Sequence, residues 1–116
     1  MGDRIETGWL FDFYGPLLTD RQRTLLSLYC EEDFSLSEIA AREGISRQGV
    51  HDALKAAEAQ LLKYEEMLGL VRRYRAMEKA VTACRECLNR MKPAPGSEEA
   101  LAQARASLEL IERIER

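Results

Sequence analysis

Long apolar runs are absent from this 116-residue sequence, which has no stretch of eighteen consecutive hydrophobic residues. A helix that spans a bilayer needs about 20 of them, so we predict no membrane insertion. The opening segment, MGDRIETGWL, includes acidic side chains and lacks the apolar core of a signal peptide. Cysteine is also scarce, and three cysteines without a secretory signal favour a reducing compartment. We therefore expect a cytoplasmic protein.

Histidine is limited to one residue, His51, which restricts the chemistry available to the chain. No Ser-His-Asp set, glycine-rich phosphate loop or cluster of metal ligands is recognisable in the sequence. The many carboxylates fall on charged helix faces, where solvated acids belong. We predict a protein that is not an enzyme and that uses no cofactor and no metal.

Cys84 and Cys87 form a CxxC motif. On a helix the two thiols would share a face and could supply two metal ligands. A structural zinc site needs four ligands, and Cys30 and His51 are the only other soft candidates. We predict instead that Cys84 and Cys87 are buried small apolar residues, and a disulfide formed on oxidation is the alternative.

The periodicity of the chain is helical throughout, and no segment alternates as a strand would. Two capping boxes mark predicted helix starts, Thr19 with Gln22 and Ser35 with Glu38. Ser46 can cap a long helix over 47–68. Its apolar stripe comprises Val50, Leu54, Ala57, Leu61 and Leu62.

The segment SLSEIAAREGISRQGVHDAL, from Ser35 to Leu54, has the requirements of a helix-turn-helix. Ala40 is small enough for two helices to cross closely. Gly44, four positions later, tolerates the positive φ of a tight turn. Val50 and Leu54 can then anchor the second helix to the first. The alternative is a helical hairpin that only packs.

The start of that second helix would leave polar residues outside. In a DNA reader such residues enter the major groove, where arginine suits guanine and glutamine suits adenine. The candidate nucleic-acid-binding residues are Arg47, Gln48, His51 and Lys55. Asp52 and Glu58 are expected to face the groove or its edges unfavourably, so a protein or RNA ligand stays an alternative.

Basic charge is low overall, with a net charge of −3, but it is concentrated in one segment. Residues 72–92 hold seven basic and two acidic side chains, a net +5, which leaves −8 on the rest of the chain. Such asymmetry can mark a nucleic-acid-binding face, and we predict contacts through Arg72, Arg73 and Arg75. The alternative is a solvated helix face that complements acidic helices nearby.

The last helix carries an apolar stripe that cannot remain exposed on an isolated helix in water. It must fold back on the longer helices or pair with a second chain. We favour a homodimer, with Leu101, Leu108 and Ile111 as its contact residues. The predicted organisation is a helix-turn-helix domain over 1–70 and a helical, dimerising C-terminal extension over 71–116.

Four segments together, LFDFYG, LTDRQ, SLSEIA and SRQGV, resemble the YlxM family of bacterial proteins in sequence and in order. The resemblance covers roughly residues 9 to 75. It implies an all-α fold, a helix-turn-helix bundle of sigma-factor region-four type with a helical C-terminal extension. Ser46, Arg47 and Gln48 match the start of the family's recognition helix, whereas His51 and Ala56 depart from its pattern.

The resemblance also implies a function. The genes of YlxM-like proteins lie beside that of the signal recognition particle GTPase, which implies a role in co-translational targeting. We therefore predict a nucleic-acid-binding or regulatory accessory protein of that pathway. Its expected partners are DNA or signal recognition particle RNA, and the particle GTPase. A dimeric, sequence-specific transcription regulator and a pure protein-interaction adaptor are the alternatives.

Overall fold

Six α-helices follow one another in the computed structural model, which describes residues 4–115. They are α1 (Arg4–Tyr14), α2 (Asp20–Leu26), α3 (Leu36–Glu43), α4 (Arg47–Leu68), α5 (Leu70–Arg90) and α6 (Glu98–Glu115). No strand occurs in that range, so the predicted all-α class is confirmed. None of these helices combines length with enough apolar character to cross a membrane.

Local capping explains where α2 and α3 begin. The Thr19 hydroxyl accepts a hydrogen bond from the backbone N–H of Gln22 (3.2 Å), and the Gln22 side chain accepts one from the Thr19 N–H (3.1 Å). Ser35 and Glu38 form the same reciprocal pair before α3. Both predicted capping boxes are therefore present, and each satisfies two amides that a helix start leaves unpaired.

Two irregular turns interrupt the regular helices. A 3-10 turn, Gly15–Leu17, ends α1 where Pro16 follows Gly15. A π-helical turn, Ser27–Glu31, prolongs α2 and was not predicted. It keeps Leu28 and Tyr29 buried while the chain leaves the helix. π turns are rare because their hydrogen-bond geometry is poor, and no local sequence signal marks them.

The chain divides after Val71 into an N-terminal and a C-terminal unit. Helix α4 runs through the core of the N-terminal unit, where four of its apolar side chains have no solvent exposure: Val50, Leu54, Ala57 and Leu61. Leu62 was expected on the same stripe, but 48% of it is exposed. It follows Leu61 by about 100° around the helix axis, which turns its side chain away from the core.

Arg4 holds the loop before α3 against the start of α1. Its guanidinium forms an ion pair with Asp33, donates to the carbonyl oxygen of Phe34 (2.9 Å) and lies 4.0 Å from the centre of the Tyr29 ring. Asp33 has a φ of 56°, in the left-handed region, so the loop turns sharply there. These contacts fix the point from which α3 starts.

A polar network joins the end of α4 to the start of α5. Gly69 ends α4 with a φ of 63°. The Tyr14 hydroxyl donates to the Glu65 carboxylate (2.6 Å) and accepts from the N–H of Leu70 (2.9 Å). Glu65 also accepts from the N–H of Val71 (3.0 Å). The first two amides of α5 are thus capped by side chains of the N-terminal unit.

The C-terminal unit comprises the rest of α5, a Pro- and Gly-containing turn, and α6. Val81 and Leu108 are its buried apolar side chains among the described residues. Arg85 forms an ion pair with Glu112 between the two helices, and Arg105 reaches the carbonyl oxygen of Leu88 at 3.5 Å. Its small core contrasts with the larger core of the N-terminal unit.

Candidate nucleic-acid interface

Helices α3 and α4 form the predicted helix-turn-helix. Gly44 ends α3 with a φ of 69°, and its N–H donates to the carbonyl oxygen of Ala40 (3.0 Å). The N–H of Ile45 donates to the same oxygen (3.2 Å). Ser46 then accepts from the N–H of Gly49 (2.9 Å) and starts α4. The left-handed glycine, Gly44, and the serine cap, Ser46, are therefore both present as predicted. Ile45 between them adds a second hydrogen bond to the turn.

The first turns of α4 present their polar side chains outward. Arg47, Gln48 and Lys55 are exposed, and His51 is half-buried. Gln48, His51 and Lys55 follow one another at spacings of three and four residues, so they share one helix face. A cavity of about 390 Å³ at this place is lined by Arg47, Gln48 and His51, together with Leu36 of α3.

Asp52 lies within this face, is hydrogen-bonded to one neighbour and lies close to another. The Gln48 amide nitrogen donates to the Asp52 carboxylate at 2.9 Å. Nδ1 of His51 lies 3.5 Å from the same carboxylate oxygen. The two groups would form an ion pair only with a protonated imidazole. That nitrogen is sheltered from solvent and makes no hydrogen bond within the described chain. The spacing of four residues between Gln48 and Asp52 is the sequence signal for their pairing.

Glu58 does not face outward with these residues, contrary to expectation. Its carboxylate accepts a hydrogen bond from the Thr7 hydroxyl of α1 at 2.9 Å, and Thr7 is buried. The two residues are 51 positions apart, so sequence spacing could not reveal the contact. Glu58 therefore ties α4 to α1, and Asp52 is the acidic side chain that remains among the outward residues of the first turns.

The three arginines that were predicted to contact nucleic acid, Arg72, Arg73 and Arg75, lie at the start of α5 and are exposed. Arg72, Arg75 and Lys79 are spaced by three and four residues and form one stripe along the helix. Arg73 is displaced from that stripe by about 100° around the axis. A single ligand strand along the stripe would therefore meet Arg72 and Arg75 but leave Arg73 to one side.

The prediction that Cys84 and Cys87 are buried was wrong, because both are exposed. The buried side chain of this part of α5 is Val81, and Cys87 is turned well away from it. Cys87 accepts a hydrogen bond from Arg90 at 3.4 Å. Among the residues described, no three Cys, His, Asp or Glu side chains converge as a metal site would require.

The three thiols should differ sharply in reactivity. Burial raises the pKa of the half-buried Cys30 to about 11, and the thiolate is the nucleophilic form. We expect Ellman's reagent to modify Cys84 and Cys87 rapidly and Cys30 only after denaturation. Cys84→Ser and Cys87→Ser should each remove one rapid equivalent. Equal rates for all three thiols would contradict the burial of Cys30.

The predicted dimer residues of α6 have different environments. Leu108 is only 8% exposed within the single chain, and Leu101 is half-buried. Ile111 is 39% exposed, and the neighbouring Leu110 and Ile114 are exposed to 52% and 70%. The apolar surface available to another molecule thus lies near the end of α6 rather than along the whole stripe.

Comparison with known proteins agrees with this architecture. A family model described as a YlxM/p13-like helix-turn-helix protein, UPF0122, matches residues 1–99. A UPF0122 protein of Caldanaerobacter subterraneus subsp. tengcongensis is 52% identical over 79 residues, 68% of each chain. One of Symbiobacterium thermophilum is 44% identical over 90 residues, covering 78% of this chain and 84% of the relative. The chain therefore belongs to the YlxM-like UPF0122 family of helix-turn-helix proteins.

Proposed function

We propose that this chain is a non-enzymatic, nucleic-acid-binding regulatory protein of the signal recognition particle targeting pathway. The observation that carries the nucleic-acid part is the exposed start of α4, held by a complete helix-turn-helix. The link to targeting rests on the family's gene neighbourhood. The two candidate ligands are duplex DNA at α4 and the particle RNA at α5.

Duplex DNA is the ligand that the shape of α4 fits best. A helix whose first turns protrude from a rigid bundle can enter the major groove of B-DNA. There Arg47 has the donors for guanine and Gln48 the donor-acceptor pair for adenine, while Lys55 can reach a phosphate. Few cations accompany them on this helix, so we expect specificity to depend on base contacts and affinity to depend only weakly on salt.

Selection from a random pool of DNA duplexes tests this proposal. The wild-type protein should enrich one sequence, and Arg47→Ala should weaken binding to it about tenfold and relax the preference at one base pair. Arg113→Ala, which removes the same charge from the exposed surface of α6, is the matched control and should keep the preference. Enrichment of no sequence, or equal effects of the two variants, would contradict the proposal.

Signal recognition particle RNA is the second candidate ligand, favoured by the basic stripe on α5. Arg72, Arg75 and Lys79 are aligned and can neutralise successive phosphates, which makes affinity steeply dependent on salt. We expect Arg75→Ala to reduce the slope of log affinity against log salt concentration by about one, the value of one phosphate contact. Arg73→Ala should change this slope little. Equal effects of the two substitutions would show that the stripe is not the contact.

A homodimer completes the proposal. The exposed Leu110, Ile111 and Ile114 can pair two copies through the end of α6. A twofold dimer would present two copies of α4, as palindromic DNA sites require. Light scattering measures the mass of the protein in solution and tests whether it is a dimer.

Titration with the particle GTPase, in the same buffer as the RNA, tests the alternative that the protein is an adaptor that binds protein and no nucleic acid.

A further inference from the structure

We propose that Asp52 is a positioning residue that orients Gln48 to read adenine in the major groove. The inference deepens the proposed function and rests on its duplex DNA part. It gives a role to an acidic side chain that would otherwise weaken binding to phosphates, because it stands among the outward-facing residues of α4.

The hydrogen bond between the two side chains fixes the direction of the Gln48 amide. The amide nitrogen lies 2.9 Å from the Asp52 carboxylate oxygen. If the amide were rotated by half a turn, its oxygen would face a carboxylate that can only accept, and two acceptors would repel each other. The nitrogen is therefore held toward Asp52, and the amide oxygen is held away from it.

The bonded amide keeps the groups that adenine needs. An amide NH2 has two hydrogens, so one can bind Asp52 while the other stays available beside the amide oxygen. Adenine presents an acceptor, N7, next to a donor, the N6 amino group, in the major groove. The free hydrogen and the oxygen of Gln48 complement these two groups. A reversed amide would place like groups opposite each other and lose the pair.

Both side chains are exposed and belong to the same helix, so the pairing is intrinsic to α4. Fixing a flexible side chain before binding reduces the ordering cost that binding otherwise carries. Asp52 thus has two opposite effects. Its charge weakens the attraction of any duplex, whereas its hydrogen bond strengthens the discrimination between bases at one position.

Four variants separate these effects. Asp52→Glu keeps a carboxylate that can only accept, and it keeps the charge. Asp52→Ala removes both the acceptor and the charge. Gln48→Ala removes the reading group, and the double variant Gln48→Ala with Asp52→Ala tests whether the two residues act together. Glu66→Gln removes a charge from the exposed far end of α4 and is the matched control.

Two measurements are made on each variant, the preference for adenine at the selected position and the affinity for duplex of random sequence. We expect Gln48→Ala and the double variant to lose the adenine preference about tenfold. Asp52→Ala should lose it about twofold, which is the effect that an exposed hydrogen bond between residues four apart on a helix can supply. Asp52→Glu should retain most of the preference. Asp52→Ala should bind random duplex more tightly than wild type, because it removes a negative charge, and Glu66→Gln should change neither value appreciably.

The outcomes distinguish this inference from the proposed function. If wild-type protein binds no duplex, the DNA part of the proposed function and the inference both fail. If it selects a sequence, but Asp52→Ala keeps the full preference at the position that Gln48 reads, only the inference is overturned. Additive losses in the double variant would likewise overturn it, because they would show that Asp52 acts independently of Gln48.

Discussion

Replacing Leu54 by alanine should lower the free energy of unfolding by about 3 kcal/mol. Leu54 has no solvent exposure and lies on the face of α4 that packs in the centre of the N-terminal core. Truncation removes buried apolar surface and leaves a cavity that surrounding helices can fill only in part. In a unit of this size the midpoint of thermal unfolding should fall by roughly 10 to 20 °C.

Leu62→Ala is the matched control for that prediction. It makes the same chemical change on the same helix, but at a side chain that is 48% exposed. We expect a loss of less than about 0.5 kcal/mol, since surface substitutions usually stay within that range. Similar losses for the two variants, measured by urea denaturation, would contradict the assignment of the buried face of α4.

Replacing Tyr14 by phenylalanine should cost about 2 kcal/mol of stability, because Glu65 and the N–H of Leu70 each lose a part-buried hydrogen-bond partner. Tyr64→Phe is the control, since its hydroxyl makes one exposed bond, to the Leu17 carbonyl oxygen at 3.2 Å. We expect that change to cost less than about 1 kcal/mol. Equal effects would mean that the network at the start of α5 is not stabilising.

Tyr14 also makes the free energy of unfolding depend on pH in the alkaline range. Burial, and next the hydrogen bond to Glu65, raise the pKa of Tyr14 above its ordinary value of 10.0. The folded chain therefore holds this proton more tightly than the unfolded chain does. The resulting stabilisation is present below pH 10 and is lost as the pH rises through the higher folded pKa. Urea denaturation over this range should show a smaller alkaline loss in Tyr14→Phe than in wild type.

Features set by neighbouring residues were predictable from the sequence. The two capping boxes, the left-handed Gly44 and the Ser46 cap depend on groups within four positions of each other, so the residues alone specify them. The boundaries of α4 followed from the same signals. The outward direction of Gln48 and Lys55 then followed from the periodicity of the helix.

Features set by distant residues were not predictable. Glu58 was expected to face the groove, but its partner, Thr7, belongs to another helix. Leu62 and Cys87 lie beside apolar stripes. Periodicity alone does not fix the width of such a stripe to better than one residue, which is about 100° around the helix axis. Only the helix that packs against the stripe decides which flanking residue it covers. The role of Asp52 also needed the distance to Gln48, since spacing allows the bond without requiring it.

The capped start of α5 has a consequence for the order of folding. Forming the first turn of a helix is the costly step, because several residues lose conformational entropy before hydrogen bonds offset that loss. Here Glu65 supplies a partner for the amide of Val71 locally, whereas Tyr14 supplies one for the amide of Leu70 only once α1 and α4 have come together. We therefore expect the folded N-terminal unit to favour formation of the first turn of α5. A nascent chain emerging from the ribosome would assemble its helix-turn-helix first and extend the long helix from it afterwards.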